Sequence, residues 1–143
     1  MATAFKSDQE TASAASPPRK IGPSELGKPY IAVFTHTLAS SGLAIGDTID
    51  LCDLPVGARV LYGEFCWSAT QGATATTAIG ITGTAAKYFA AAVTASTAKF
   101  EFVATQALGY NTPLTAAEQI IATNAAAAWT ASSVLRGYIL YTL

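Results

Sequence analysis

The sequence predicts an all-β protein: a single β-sandwich or jelly-roll-like domain behind an extended N-terminal arm. Three observations carry this. From Tyr30 onward, short runs of β-branched and aromatic residues are broken repeatedly by Gly, Pro, Asn and Asp, the pattern of a sandwich or barrel. In residues 1–29 apolar side chains are scarce, and four of the six prolines (Pro17, Pro18, Pro23, Pro29) crowd together there. A length of 143 residues fits one domain, at roughly 100 to 200 residues per domain.

The arm, residues 1–29, is built from Ser, Thr, Ala, Pro, Gly and charged residues. Such a segment cannot bury enough apolar area to offset the entropy of ordering itself, so it is expected to lie on another chain. Fully extended, it reaches about 95 to 100 Å, enough to cross a subunit boundary.

The domain, residues 30–143, divides into strands in order. Tyr30 to Leu38 alternates and ends at Ser40, Ser41 and Gly42. Asp47 to Leu54 places Ile49 and Leu51 on one face and stops at the turn of Pro55 and Gly57. Ala58 to Ser68 should set Leu61, Phe65 and Trp67 on one face and Val60, Tyr62, Glu64 and Cys66 on the other. Gln71 and Gly72 supply the next turn. Thr74 to Thr82 aligns Thr77, Ile79 and Ile81, and Lys99 to Ala104 aligns Phe100 and Phe102. Val134 to Leu143 brings Leu135, Ile139, Tyr141 and Leu143 to one face, and a terminal strand so apolar should be central or covered.

Two Ala-rich stretches, Ala85 to Ser96 and Ala116 to Trp129, pull toward helix, and Thr115 with Glu118 fits a helix-start pattern. A short helix over 86–92 is open. The β-branched Ile120 and Ile121 favour a strand over Gln119 to Thr123.

Composition narrows the function. Hydrophobic residues make up 51% of the chain and charged residues 12%, against about 25% charged in soluble domains generally. No apolar run approaches the roughly 18 to 20 residues that span a bilayer, so the excess points to burial between subunits. Before residue 30, Lys6, Arg19, Lys20 and Lys28 face Asp8, Glu10 and Glu25. After it, Arg59, Lys87, Lys99 and Arg136 face Asp47, Asp50, Asp53, Glu64, Glu101 and Glu118. Neither set is the clustered basic face that nucleic acid requires. No secretory signal stands at the N-terminus, so a reducing cytosol is expected, with Cys52 and Cys66 as free thiols packed in the interior.

Chemistry-bearing motifs are missing. Gly80 and Gly83 in GITGTAAK lack the context of a phosphate loop, and the single His36 permits no multi-histidine metal site. A Ser40 or Ser41 nucleophile beside His36 has no supporting motif. Strict alternation sends Asp50 and Asp53 to opposite faces of their strand, so Asp47, Asp50 and Asp53 read as solvated rim charges. The expectation is no enzyme, no cofactor and no metal. Trp67, Trp129, Tyr62, Tyr110, Tyr138 and Tyr141 would suit a sugar-stacking module, but aromatics at strand spacing are more often core or interface. Tyr110 and Trp129, in less regular segments, join Pro17, Pro18, Arg19 and Lys20 of the arm as candidate subunit contacts.

The run GDTIDLCDLPVGARVLYGEF, the strand of Ile79 and Ile81, then KYFAAAV, GYNTPLTAAEQIIAT and the closing GYILYTL resemble small virion structural proteins of tailed bacteriophages. The likeness spans residues 30–143 and includes the turn from Leu54 to Val60. It is to capsid decoration, cement or head-fibre proteins, and it implies a sandwich or jelly-roll subunit that is often trimeric and reinforces the outside of a capsid lattice. The implied partners are further copies of the chain, with a trimer favoured, and the major capsid protein or other virion subunits; neither membrane nor nucleic acid is expected. A tail-tube, connector or other small phage structural subunit is the structural alternative, and a carbohydrate-binding or adhesion module the other.

Overall fold

The structure is a computed structural model that describes residues 28–94, 97–102 and 110–143. Eight strands follow one another: β1 (Pro29–Thr37), β2 (Thr48–Leu54), β3 (Arg59–Trp67), β4 (Thr76–Ile81), β5 (Thr84–Val93), β6 (Phe100–Phe102), β7 (Glu118–Ala125) and β8 (Val134–Thr142). The described residues contain no helix. One sheet runs β1-β8-β3-β6 and the other β2-β7-β4-β5, with every pairing antiparallel. The pairing is nested: first strand with last, second with seventh, third with sixth, fourth with fifth.

This topology explains why the chain's last strand is so apolar. β8 lies between β1 and β3, so Leu135 and Ile139 are buried while both backbone edges are paired. Leu143, expected on the same face, lies beyond the strand and is exposed.

The two sheets close on a core of interdigitated aromatic and branched side chains. Phe34 and Leu135 meet Ile49, Ile79 and Ile120 from the opposite sheet within one apolar cluster. At one flank Phe65 stacks on Phe100 at 5.2 Å and meets the edge of Phe89 at 5.3 Å, joining β3, β5 and β6. Gly63 makes room there, because a Cβ at this position would fall 2.1 Å from the Phe102 ring.

One open choice is decided and two expectations are corrected. Ala85 to Ser96 does not begin a helix: residues 84–93 form β5, paired along β4, while 95–96 lie outside the described residues. Burial of Tyr88 and the β4 ladder override the helical preference of alanine. Val60, expected opposite the face of Leu61, Phe65 and Trp67, is buried like Phe65 and Trp67 while Leu61 is only half-buried, because a bulge between Val60 and Tyr62 reverses the phase of alternation. A second bulge, between Asp50 and Cys52, works the same way in β2. It places Asp50 opposite Ile121 and Asp53 opposite Gln119, two residues apart on β7, so the two carboxylates share one exposed face.

Candidate assembly surface

The outer face of the β1-β8-β3-β6 sheet is assembled in rows by register. Ile31 and Leu140 stand in one row beside Tyr62. Val33, Tyr138, Glu64 and Glu101 form the next, and Thr35, Arg136 and Cys66 the third. Ile31 is 61% and Val33 72% exposed, unusual for branched apolar side chains in mid-strand. A shallow groove of about 320 Å³ runs over this face between Val33, Cys66, Lys99 and Tyr138.

Polar groups pin the β3 side of the groove. The Tyr62 hydroxyl donates to Glu64 Oε1 at 2.6 Å, and Lys99 Nζ donates to the same oxygen at 2.9 Å. Lys99 also pairs with Glu101 at 3.4 Å. The Tyr62 hydroxyl, then the Lys99 ammonium, hold the Glu64 carboxyl below the usual glutamate range. The bond to Glu64 in turn raises the Lys99 ammonium and the Tyr62 phenol, and burial followed by the Glu64 charge raises the Tyr138 phenol. The network is a fixed patch of mixed charge beside an apolar edge, which suits recognition by another surface.

A second cavity of about 200 Å³ lies between β5 and the segment Thr112 to Thr115. Its polar groups are satisfied by one another. Lys87 and Tyr88 both donate to the Glu118 carboxylate, the Tyr88 bond at 2.6 Å, and burial with this bond pushes the phenol up. Among the described residues, no three His, Cys, Asp or Glu side chains gather as a metal site. His36 is exposed near the end of β1, and the Ser41 hydroxyl donates to the Gly42 carbonyl at 3.4 Å. Asp47 accepts from the Ala44 amide at 2.9 Å and closes a turn. Cys52 and Cys66 are both free and half-buried.

The sequence-derived contact residues separate in space. Pro17, Pro18, Arg19 and Lys20 lie outside the described residues. Tyr110 is exposed, on a loop fastened to the start of β3 by the Asn111 amide on the Val60 carbonyl at 3.0 Å and by Arg59 Nη1 on the Asn111 carbonyl at 2.8 Å. Trp129 is corrected from contact to core: it is 2% exposed, with its ring against Trp67 and its Nε1 donating to the Thr76 carbonyl at 3.2 Å. It therefore sits at the far end of β3 from Tyr110. The residues that sequence reasoning passed over are Ile31 and Val33. Tyr30 to Leu38 reads as alternating, yet its first five residues, Tyr30 to Phe34, are all apolar, and that was their signal, since a strand with one wet face carries polar residues at every second position.

A scan against protein-family models finds no match, and no curated protein matches the chain. Solved structures do. A chain of the Cyanophage Pam1 capsid asymmetric unit aligns with a TM-score of 0.70 and 23% identity, covering 98% of this chain and 98% of that one. A chain of the capsid of Ralstonia phage GP4 aligns at 0.66 and 22% identity over 81% and 84% of the two chains. One from the acidic stable capsid structure of Helicobacter pylori bacteriophage KHP30 aligns at 0.60 and 15% identity over 80% and 87%. The eight-stranded sandwich of this chain is thus a fold it shares with chains of three phage capsids.

Proposed function

We propose that this chain is a bacteriophage virion structural protein: a decoration or cement subunit that oligomerises on the capsid surface and braces neighbouring capsid subunits. The observation that carries this reading is the alignment with a cyanophage capsid chain over nearly the full length of both. The nested strand order supports a jelly roll, an architecture used in capsid assemblies. Low charge and the exposed apolar edge at Ile31 and Val33 support burial against other subunits, and the resemblance to decoration proteins favours a trimer. The partners are further copies of the chain and the major capsid protein or other virion subunits, and residues 1–29 serve as the reaching arm. No catalytic step is assigned.

Imaging of the native particle tests this directly, together with co-sedimentation of the purified protein with isolated phage heads. The expected result is an oligomer that binds heads at regular lattice positions and weakens in binding when residues 2–28 are deleted. A stable monomer without affinity for heads overturns the proposal, and ring or tube stoichiometry away from the head moves the protein to the connector or tail.

A further inference from the structure

A β-sandwich has four edge strands, and three of them here carry features that discourage pairing. β6 covers three of the described residues and carries the exposed carboxylate of Glu101. β2 is bulged between Asp50 and Cys52 and shows the exposed carboxylates of Asp50 and Asp53. β5 is irregular at two places along β4 and carries Lys87. Short length, bulges and charges are the usual protections of a sheet edge.

β1 differs. It pairs with β8 over nine residues without a register shift, and its sequence PYIAVFTHT contains no Lys, Arg, Asp or Glu. Pro29, at its first position, is the single residue that limits pairing. Its other edge has no neighbour among the described strands. A long, unbulged, uncharged strand with exposed Ile31 and Val33 is a template for one more strand.

The occupant follows from the surroundings and from the chain's own composition. β1 and β2 are in contact on the same flank of the sandwich. Two sandwiches meeting there edge to edge would bring Asp50 and Asp53 of one copy toward the same carboxylates of the other, a repulsive arrangement. A single extended segment on β1 avoids this. Residues 1–16 are free of proline and long enough to match all nine residues of β1, whereas Pro17, Pro18 and Pro23 interrupt pairing beyond them. Residues 17–28 then form a tether of at most about 40 Å leading into β1.

We infer that residues 1–16 of a second copy add as a strand to the free edge of β1, so that each subunit of the oligomer lends its arm to the next. The arrangement is head to tail and closes in a ring, which fits a trimer and rests on the proposed assembly of the protein. The edge supplies backbone hydrogen bonds, and Ile31 and Val33 supply apolar contact.

Native mass spectrometry and hydrogen exchange on the full-length chain test this, with I31K/V33K as the edge variant and S7P/A12P as the arm variant. In the wild-type oligomer, the β1 amides that do not face β8 should exchange at least about tenfold more slowly than in either variant. Both variants should dissociate to monomers with unchanged far-ultraviolet circular dichroism, and a synthetic peptide of residues 1–16 in excess should disperse the wild-type oligomer. A wild-type oligomer with unprotected β1 amides overturns the inference. So does a monomer with protected amides, which would mean that each arm fills its own edge. An oligomer with protected β1 that ignores phage heads retains the strand exchange and removes only the capsid role.

Discussion

The indole rings of Trp67 and Trp129 lie 4.9 Å apart between centroids at an interplanar angle of 54°, fully enclosed between the sheets. Each also places its ring nitrogen on a fixed partner. Trp67 Nε1 donates to Thr77 Oγ1 at 3.3 Å and Trp129 Nε1 to the Thr76 carbonyl at 3.2 Å. The pair thereby fastens β3 and the segment before β8 to β4. Trp129→Ala should cost about 3 to 5 kcal/mol in urea unfolding. Trp129→Phe should cost less, since a ring still meets Trp67 while the Thr76 carbonyl loses a donor. A loss below about 1 kcal/mol for the alanine variant contradicts a core role.

Gly80 and Gly83 lie three residues apart on the β4–β5 hairpin and should respond differently to alanine. A Cβ on Gly80 would meet the Thr84 carbonyl oxygen at 2.2 Å and the Ala85 carbonyl oxygen at 2.5 Å, backbone atoms that cannot turn away. Gly83 faces open space but holds φ at +84°, where an L side chain costs about 1 to 2 kcal/mol. Gly83→Ala should give a soluble, modestly weakened protein, and Gly80→Ala a much larger loss or no soluble fold. Parallel thermal melts and expression yields distinguish them.

Glu64 links stability to acid. Its carboxyl is held below the usual range by Tyr62 and Lys99, so the folded state binds its proton less readily than the unfolded chain does. Its contribution is complete above the unfolded glutamate value, about 4.3, and fades as pH falls through the lower folded value. Glu64→Gln should lose stability near neutral pH, and its gap from the wild type should narrow as pH falls below the usual glutamate range. Urea midpoints for both proteins across this range give the test, and parallel curves would exclude the linkage.

Cys52 should be a slow thiol. Burial, and then the neighbouring Asp53 charge, push it up to about 11, so little thiolate exists near neutral pH. Alkylation of the native protein at about pH 8 should leave Cys52 largely unmodified, and unfolding in urea should restore rapid labelling. Peptide mass spectrometry reads both states; fast native labelling would show that the site opens.

Much of the architecture is legible because period-2 patterns survive wherever strands are regular. Phe100 and Phe102 do share the face that closes on Phe65. The apolar run of Val134 to Leu143 marks the central strand it becomes. Alternation fails at Val60 and between Asp50 and Asp53 because a bulge adds one residue to one partner, and nothing in the local run marks where that residue goes. β5 was obscured for another reason: alanine prefers helix, and the Tyr88 burial and β4 pairing that outweigh this preference are contacts distant in sequence.

The sequence by itself determined the all-β class, seven of the eight strands in order and the absence of recognisable catalytic motifs, since each follows from local pattern and residue type. Only the tertiary structure decided that Trp129 belongs to the core, that Ile31 and Val33 are exposed, and that β1 stands at the end of its sheet among the described strands. Burial and edge position depend on which strands become neighbours, and the nested pairing sets this between residues up to the full length of the domain apart.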